Sequence, residues 1–245
     1  MRLWKSWLLA KKDLAVLRKR KGLMVAVVAL PLLIGIGFPL LDNFIIFRKA
    51  PSNAFVETLL GAFGFFFMII SALLPLYISS NSIIGEKVEK SLEPLLATPT
   101  TDGEILLGKD ISGFIPVMLS IYLGATIYMI LIDAFTGNRL GYLFYPNWTF
   151  AIILFIGAPL ACIYGVSFGV FVSSKTTSVQ SSYQIGVFSI SPFFILYILG
   201  EVGVVNLNSN TNLLFISAGL LVAVILLYFL SKVTFNREKI LTQWR

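Results

Sequence analysis

Six long runs without a charged residue restrict the fold of this chain more than any other feature. They cover residues 22–41, 58–85, 111–132, 140–174, 176–200 and 202–231. An α-helix needs about 20 residues to cross the hydrocarbon layer of a bilayer, and every run reaches that length. Hydrophobic residues make up 57% of the 245 positions, which is more than one soluble core of this size can bury. The sequence therefore predicts a membrane protein.

The runs predict helices rather than strands. None of them alternates polar and apolar residues with the period of two that is typical of a transmembrane barrel, whereas a helix satisfies its backbone hydrogen bonds within lipid. The predicted fold class is an all-α membrane protein with six transmembrane helices in one domain, residues 1–245. The spans are placed at about 22–41, 58–82, 108–132, 149–173, 178–200 and 212–231.

The distribution of basic residues predicts the orientation. Six spans place both termini on one side of the membrane, and a cytoplasmic N-terminus leaves only Arg48, Lys49 and Arg139 of the 19 basic residues outside. The first run is interpreted as a permanent span, because no small-residue cleavage site precedes polar sequence. We therefore expect a multi-pass protein of the plasma membrane with both termini in the cytoplasm. The net charge of +7 follows from this bias, so no nucleic-acid partner is expected.

The N-terminal segment, residues 1–21, predicts a helix that lies in the membrane interface. It reads "MRLWKSWLLAKKDLAVLRKRK", and its apolar residues near one face are Leu3, Trp4, Trp7, Leu8, Leu14 and Ala15. Basic residues occupy most other positions, and tryptophan is typical of headgroup depth. The alternative is a disordered basic tail that only orients the first span.

The segment between the second and third spans, residues 85–110, holds nine of the 31 charged residues. It reads "GEKVEKSLEPLLATPTTDGEILLGKD". Glu86 and Lys90 stand four residues apart and favour a short extension of the second span. Pro94 favours the start of a short helix that Pro99 ends. A capping box of Thr101 with Glu104 predicts the start of the third span.

Two apolar residues, Leu95 and Leu96, are expected to lie exposed on the short helix of this loop. Exposed leucines flanked by charges are typical of a segment that docks into a groove on another protein. The alternative is that they lie against the lipid headgroups or the end of the bundle.

The loop resembles the signature of the type-2 ABC export permeases. That signature has a glycine with an acidic-basic pair, Ser/Thr-Leu-Glu, an aliphatic pair, Ala-Thr-Pro, and an acidic-aliphatic step into Gly-Lys. The matching residues are Gly85, Glu86, Lys87, Ser91, Leu92, Glu93, Leu95, Leu96, Thr98, Pro99, Glu104, Ile105, Gly108 and Lys109. In that family the loop also lies between the second and third of six spans.

The resemblance implies several properties. Residues 85–104 would carry the coupling helix, which docks on a separate cytoplasmic P-loop ATPase, and residues 1–21 would form the family's elbow helix. ATP and Mg²⁺ would bind to that partner, so no cofactor is expected in this chain. A second permease copy, forming a homodimer, or a related permease is the other expected partner, together with membrane lipid.

Two short motifs mimic catalytic sites. "GEILLGKD", residues 103–110, nearly matches a phosphate-binding loop, but Asp110 stands where a hydroxyl is required, so the motif is interpreted as a helix start. "GVSFG", residues 165–169, mimics a serine-hydrolase elbow around Ser167, but the chain has no His. Small residues four apart favour helix packing instead. No catalytic residue and no metal ligand is predicted, and the chain is not expected to be an enzyme.

The substrate path is predicted on the second and fifth spans, which the resemblance places near a dimer interface. The candidate residues are Phe66, Tyr77, Asn81, Gln180, Tyr183 and Gln184. The alternative is that such polar groups only bond to the preceding helical turn.

The predicted function is a permease subunit of an ATP-driven exporter for a hydrophobic or amphipathic substrate. An ion-coupled secondary carrier and a membrane scaffold subunit are the alternatives. The acidic residues Asp42, Glu57, Asp133 and Glu201 all fall near the predicted outer ends of spans. A carrier would need an ionisable site deep within the spans.

Overall fold

The computed structural model describes residues 3–46, 52–88, 101–176 and 178–234. Within these ranges every regular element is a helix. The α-helices are α1 (Leu3–Lys19), α2 (Lys21–Leu41), α3 (Asn53–Gly64), α4 (Phe66–Val88), α5 (Asp102–Leu140), α6 (Trp148–Ile152), α7 (Ala158–Lys175), α8 (Val179–Phe188), α9 (Ser191–Glu201) and α10 (Asn210–Thr234). Two π-helical turns, Asp42–Ile46 and Ile153–Gly157, follow α2 and α6.

Six helical segments are long and apolar enough to cross a membrane. They are Lys21–Phe44, Phe55–Ser82, Gly103–Gly137, Trp148–Lys175, Val179–Glu201 and Asn210–Leu230. The predicted fold class, an all-α membrane protein with six spans, is confirmed. We call these segments the first to sixth spans in chain order.

The third span is longer than the predicted 108–132. Its helix α5 has 39 residues, which is a length of about 58 Å at 1.5 Å per residue. The predicted end was set by the charge of Asp133, but the helix continues to Leu140 and ends at Gly141, which adopts a left-handed conformation with φ of 77°. The Asp133 carboxylate is compatible with a helix interior because its Oδ1 accepts hydrogen bonds from the backbone amides of Phe144 and Tyr145, at 3.0 and 2.9 Å.

The second span forms the centre of the bundle. Of its most apolar stretch 78% is buried, against 17% for the fifth span and 11% for the sixth. The second span packs most extensively on the fourth, and the first span packs on the third. The fifth and sixth spans therefore lie at the periphery.

Small residues allow the second and fourth spans to approach closely. A Cβ atom added at Gly165 would overlap the carbonyl oxygen of Ala72, and one at Gly169 would overlap the hydroxyl of Ser79. Both glycines belong to the "GVSFG" motif, so the prediction that this motif serves helix packing is confirmed.

The bundle has two ends, which we name by the residues they carry. The proximal end carries α1 and the two helix ends that flank residues 89–100. The distal end carries the connections 141–147 and 202–209.

At the distal end, loop residues bond to the second and third spans. The hydroxyls of Tyr128 and Tyr145 both donate to the carbonyl oxygen of Leu60, at 3.4 and 3.2 Å. Burial raises the pKa of Tyr145 above its ordinary value, and its hydroxyl, like that of any tyrosine at neutral pH, is protonated and can donate. The Asn208 side-chain amide donates to the Glu57 carbonyl oxygen at 3.2 Å. These bonds connect both distal loops to the second span.

Candidate coupling site

The predicted coupling residues fall on both sides of a gap in the described chain. Gly85, Glu86 and Lys87 lie in the last turn of α4. The others, Ser91, Leu92, Glu93, Leu95, Leu96, Thr98 and Pro99, lie outside the described residues, so their arrangement stays a prediction. The described helices show where that segment attaches: it connects the proximal ends of the second and third spans.

A capping box fixes the start of α5, as the sequence predicts. The Thr101 hydroxyl oxygen accepts a hydrogen bond from the Glu104 backbone amide at 3.3 Å. The Glu104 carboxylate accepts one from the Thr101 backbone amide at 3.1 Å. Two of the amides that a helix start leaves unpaired are thereby satisfied. The polypeptide therefore enters the third span at a defined residue.

An ion pair and a hydroxyl connect three elements at the proximal end. Lys109 Nζ lies 3.5 Å from Asp13 Oδ2 and donates to Ser82 Oγ at 2.9 Å. Ser82 Oγ in turn lies 3.3 Å from Asp13 Oδ2, to which it donates. Lys109 is only 4% exposed and Asp13 12%, so the pair is largely shielded from water. We call these three residues the clasp, and they connect α1 to the second and third spans.

The glycines of the signature admit close contacts next to the clasp. A Cβ atom at Gly108 would lie 2.8 Å from Leu9 Cβ and 3.0 Å from the Ser6 carbonyl oxygen. One at Gly85 would lie 3.2 Å from a guanidinium nitrogen of Arg20. Gly108 therefore allows α1 to rest directly on the start of α5, and Gly85 provides room for Arg20. These contacts give a physical reason for both glycines.

Sequence reasoning missed Asp13 and Ser82, although one signal pointed to the first. Asp13 is the only acidic residue among the first 21, in a segment with eight basic residues. A lone carboxylate in such a helix is expected to have a specific partner, but the sequence does not identify Lys109 as that partner. Ser82 gives no comparable signal.

The predicted substrate-path residues separate into two groups. The rings of Tyr77 and Tyr183 contact edge to face, with centroids 5.4 Å apart, and Ser80 and Ser182 share a hydrogen bond of 3.0 Å nearby. These contacts connect the second and fifth spans. The Asn81 side-chain amide donates to the Tyr77 carbonyl oxygen at 2.8 Å, which is the local bonding that the alternative interpretation expects.

Phe66 lies apart from this group. It is 11 residues from Tyr77 on the same helix, a distance of about 16 Å along the axis. Its ring contacts Phe38 of the first span and Tyr197 of the fifth, with centroids 5.0 and 4.6 Å away. The second span therefore has aromatic contacts with the fifth at two depths.

The first turns of α8 expose polar side chains although α8 belongs to a span. Gln180, Ser181 and Gln184 are exposed there, whereas the second half of the helix exposes Ile185 and Phe188. Polar side chains within spans face protein or water rather than lipid. These polar side chains at the proximal end of the fifth span are therefore expected to face water or another protein surface.

Two intramembrane carboxyls lack an assigned role. Both oxygens of Asp42 are buried without a hydrogen-bond partner in the described part of the chain. Asp110 lines a small void between spans together with Ser167 and Tyr228. No cluster of three or more His, Cys, Asp and Glu side chains that could hold a metal ion occurs within the described ranges.

Comparison with known families matches most of the chain. A family model described as "ABC-2 family transporter protein" matches residues 7–219. The match begins within α1, ends within α10 and includes all three residues of the clasp. A search of curated protein sequences found no match.

Proposed function

This chain belongs to the ABC-2 family of transporter proteins, and from that premise we propose that it is the permease of an exporter driven by a separate cytoplasmic P-loop ATPase. Membership in this family implies the general function: the chain is a multi-pass permease subunit of an ABC transporter. The proposal adds the direction of transport, the partner and the route of coupling. ATP and Mg²⁺ would bind to the ATPase, with no cofactor in this chain.

The clasp is the observation that best supports coupling through residues 85–104. Asp13, Ser82 and Lys109 join α1 to the proximal ends of the second and third spans. The segment that connects those two spans is the one proposed to contact the ATPase. A force applied to it would therefore move α1 and both spans together, and such rigid-element motion is a common way to switch a transporter.

The exposed polar residues in the first turns of α8 support a second permease copy as a partner. Gln180 and Gln184 are exposed there, and pairing with another copy or with a related permease would remove them from lipid. We propose that the substrate passes along this interface, beside Tyr77 and Tyr183. A path lined by aromatic rings and few charges favours a hydrophobic or amphipathic substrate.

The proposed orientation rests on the basic residues. We propose the plasma membrane, with the proximal end and both termini in the cytoplasm. This orientation places α1, with Lys11, Lys12, Arg18 and Lys19, on the side that the positive-inside rule requires.

Affinity purification tests the proposed partner. Tagged wild-type protein in mild detergent should retain an ATPase and show ATP hydrolysis. The double variant Leu95→Asp, Leu96→Asp should insert normally but lose the ATPase or its activity, because charge replaces the apolar docking contact. The matched control Leu143→Asp, Val204→Asp carries the same change at exposed distal positions and should behave as wild type. Retention of an active ATPase by the Leu95/Leu96 variant would refute this coupling route.

Two neutral variants separate this proposal from an ion-coupled carrier. Asp42→Asn and Asp110→Asn remove the two intramembrane carboxyls that have no assigned role, which are the ones a carrier could use to bind an ion. If the protein is an ATP-driven permease, both variants should transport at a rate within about twofold of wild type. This is well below the tenfold change in rate that about 1.36 kcal/mol of activation free energy would cause. If wild-type transport followed an ion gradient without ATP, and either variant lost that transport, the carrier would be favoured.

A further inference from the structure

A groove of about 280 Å³ lies between the third and fourth spans, next to the distal connection 141–147. We call it the distal groove. Its two walls are formed mainly by Tyr122, Thr126, Met129, Ala151, Leu154 and Phe155. None of the residues proposed for the substrate path lines it, so the proposed function leaves this space without a role.

The walls of the distal groove carry no formal charge. None of the described residues that line it is Asp, Glu, Lys or Arg. The Thr126 hydroxyl donates to the Tyr122 carbonyl oxygen at 2.7 Å. At the distal end of the groove, the Asn147 side-chain oxygen accepts a hydrogen bond from the Phe150 backbone amide at 2.7 Å. The groove therefore offers a ligand a mostly apolar surface that does not select for charge.

The distal groove extends from the headgroup layer into the hydrocarbon layer. Trp148 begins the fourth span and is 79% exposed, and tryptophan concentrates at the boundary between membrane and water. Phe155 lies seven residues further along that span, which is about 10 Å deeper. Phe155 lines the groove and is itself 70% exposed. The groove therefore opens on the outer surface of the bundle, where lipid lies.

Size and polarity restrict what fills this groove. An empty groove would leave its lining atoms without dispersion contacts on one side. Ordered water would need about two to four polar partners for each molecule, which mostly apolar walls do not supply. A helix of a second copy is too large, since a segment about 10 Å long and about 10–12 Å across occupies several times 280 Å³. A single hydrocarbon chain fits in both size and polarity.

We propose that the distal groove binds one acyl chain of a phospholipid from the distal leaflet. The chain lies between Met129 and Leu154 and reaches the rings of Tyr122 and Phe155, whose centroids are 6.0 Å apart. The ester and phosphate groups stay at the level of Asn147. The volume is below the roughly 300–1,000 Å³ of a pocket that encloses a whole ligand, so the second acyl chain stays in the bilayer.

A bound chain would stabilise the distal end, because it contacts the third and fourth spans together. The π-helical turn Ile153–Gly157 supplies Leu154 and Phe155 to one wall, and π-helical turns frequently occur at functional sites. The proposal requires only that the protein spans a membrane. It therefore stands independently of the ATPase partner and of the direction of transport.

Lipid binding by the full-length, delipidated protein tests this site. Native mass spectrometry should detect one phosphatidylcholine with two palmitoyl chains per protein chain, and this lipid should raise the midpoint of thermal unfolding by several degrees. Phosphatidylcholine with two butanoyl chains should do neither, because so short a chain cannot reach Leu154 and Phe155. Dipalmitoyl phosphatidylglycerol should bind with an affinity within about twofold, since the groove is uncharged. Binding of the short-chain lipid, or a larger effect of headgroup charge, would overturn the proposal.

Photo-crosslinking locates the bound chain. A phosphatidylcholine with a diazirine in the middle of one chain should label residues 122–129 and 150–155 and saturate at one label per protein chain. Leu221 and Ile225 of the sixth span are exposed and provide a control surface, on which label should not saturate. Equal, non-saturating label on both surfaces would indicate ordinary contact with surrounding lipid. Loss of the label when two copies associate would mean that a second copy covers the groove. Either result would refute the site.

Two variants fill the distal groove without changing the charge. Ala151→Trp acts from a partly buried position of the fourth span, and Thr126→Trp acts from an exposed position of α5. Each should weaken binding of the dipalmitoyl lipid at least about tenfold, because every methylene group kept out of the groove reduces the binding free energy. The control Ala218→Trp adds the same side chain to the exposed surface of the sixth span and should bind as wild type does. Wild-type binding by the folded Thr126→Trp variant would show that the chain binds elsewhere.

Discussion

The two ends of the bundle are stabilised in different ways. At the distal end, neutral groups and one carboxylate bond to backbone atoms at several points, through Leu60, Asp133 and Glu57. Among the residues that the structure describes at the proximal end, one network of an ion pair and a hydroxyl joins α1 to the second and third spans. The members of this network contact one another, so they can be broken or shifted as a unit. The comparison predicts that the proximal end moves more readily than the distal end.

The largest effect on stability is expected at the clasp. Lys109→Met removes the cation that pairs with Asp13 in a site mostly shielded from water, and breaking such a pair costs about 3–5 kcal/mol. The double variant Asp13→Asn, Lys109→Met removes both charges and should recover more than half of that loss. Titration with SDS in mixed micelles measures the free energy of unfolding of both variants. A single variant as stable as wild type would show that the proximal end does not depend on the clasp.

A smaller loss is expected at the strongest distal contact. Asp133→Ala leaves the amides of Phe144 and Tyr145 without their acceptor, which should cost about 2–3 kcal/mol. Because the tyrosine bonds to Leu60 remain, the loop should stay in place. The rate of proteolytic cleavage within residues 141–147 measures whether the loop stays in place. If this variant destabilised the protein more than Lys109→Met, the proposed contrast between the two ends would be reversed.

Two glycines of α5 allow the packing at the proximal and distal ends of one helix to be compared. Gly108→Ala places a methyl group 2.8 Å from Leu9 Cβ and should cost about 1–3 kcal/mol through overpacking. Gly137→Ala, near the distal end of the same helix, has no atom within 4 Å of the added carbon and should stabilise by up to about 1 kcal/mol. Thermal unfolding of the two variants compares them. Equal midpoints would mean that α1 does not rest closely on α5.

The smallest effect is expected for one distal hydroxyl. Tyr145→Phe removes one of the two donors to the Leu60 carbonyl oxygen, and Tyr128 still satisfies that oxygen. The loss should be about 0.5–1.5 kcal/mol. The double variant with Tyr128→Phe should lose about 1–3 kcal/mol, because the Leu60 carbonyl then keeps only the backbone bond of its own helix. A double variant as stable as wild type would show that these hydroxyls do not hold the loop on the second span.

Local signals allowed much of the fold to be predicted from sequence. The lengths of the apolar runs placed the spans, and Thr101 with Glu104 marked the start of the third, because both depend on neighbouring residues. The sequence-based prediction ended the third span just before Asp133. The Asp133 carboxylate accepts hydrogen bonds from a loop that folds back from beyond the helix. No local rule could indicate that contact.

The site was predicted less completely than the fold. The loop signature identified Gly85, Gly108 and Lys109 as important, but the reason for each depends on α1, which lies far away in sequence. Ser82 and Asp13 are separated by 69 residues, and their meeting follows from how α1 packs on the bundle. The contact of Tyr77 with Tyr183 likewise requires the packing of the second span against the fifth.

Distances between spin labels, measured in the reconstituted complex with the ATPase, test the central claim most directly. With Cys162 replaced by Ala, one label pair at the exposed positions Lys11 and Lys175 reports the proximal end. A pair at Leu143 and Val204 reports the distal end. We expect ATP to change the proximal distance by several ångströms and to leave the distal distance unchanged. A proximal distance that stays constant while the ATPase turns over would contradict the account.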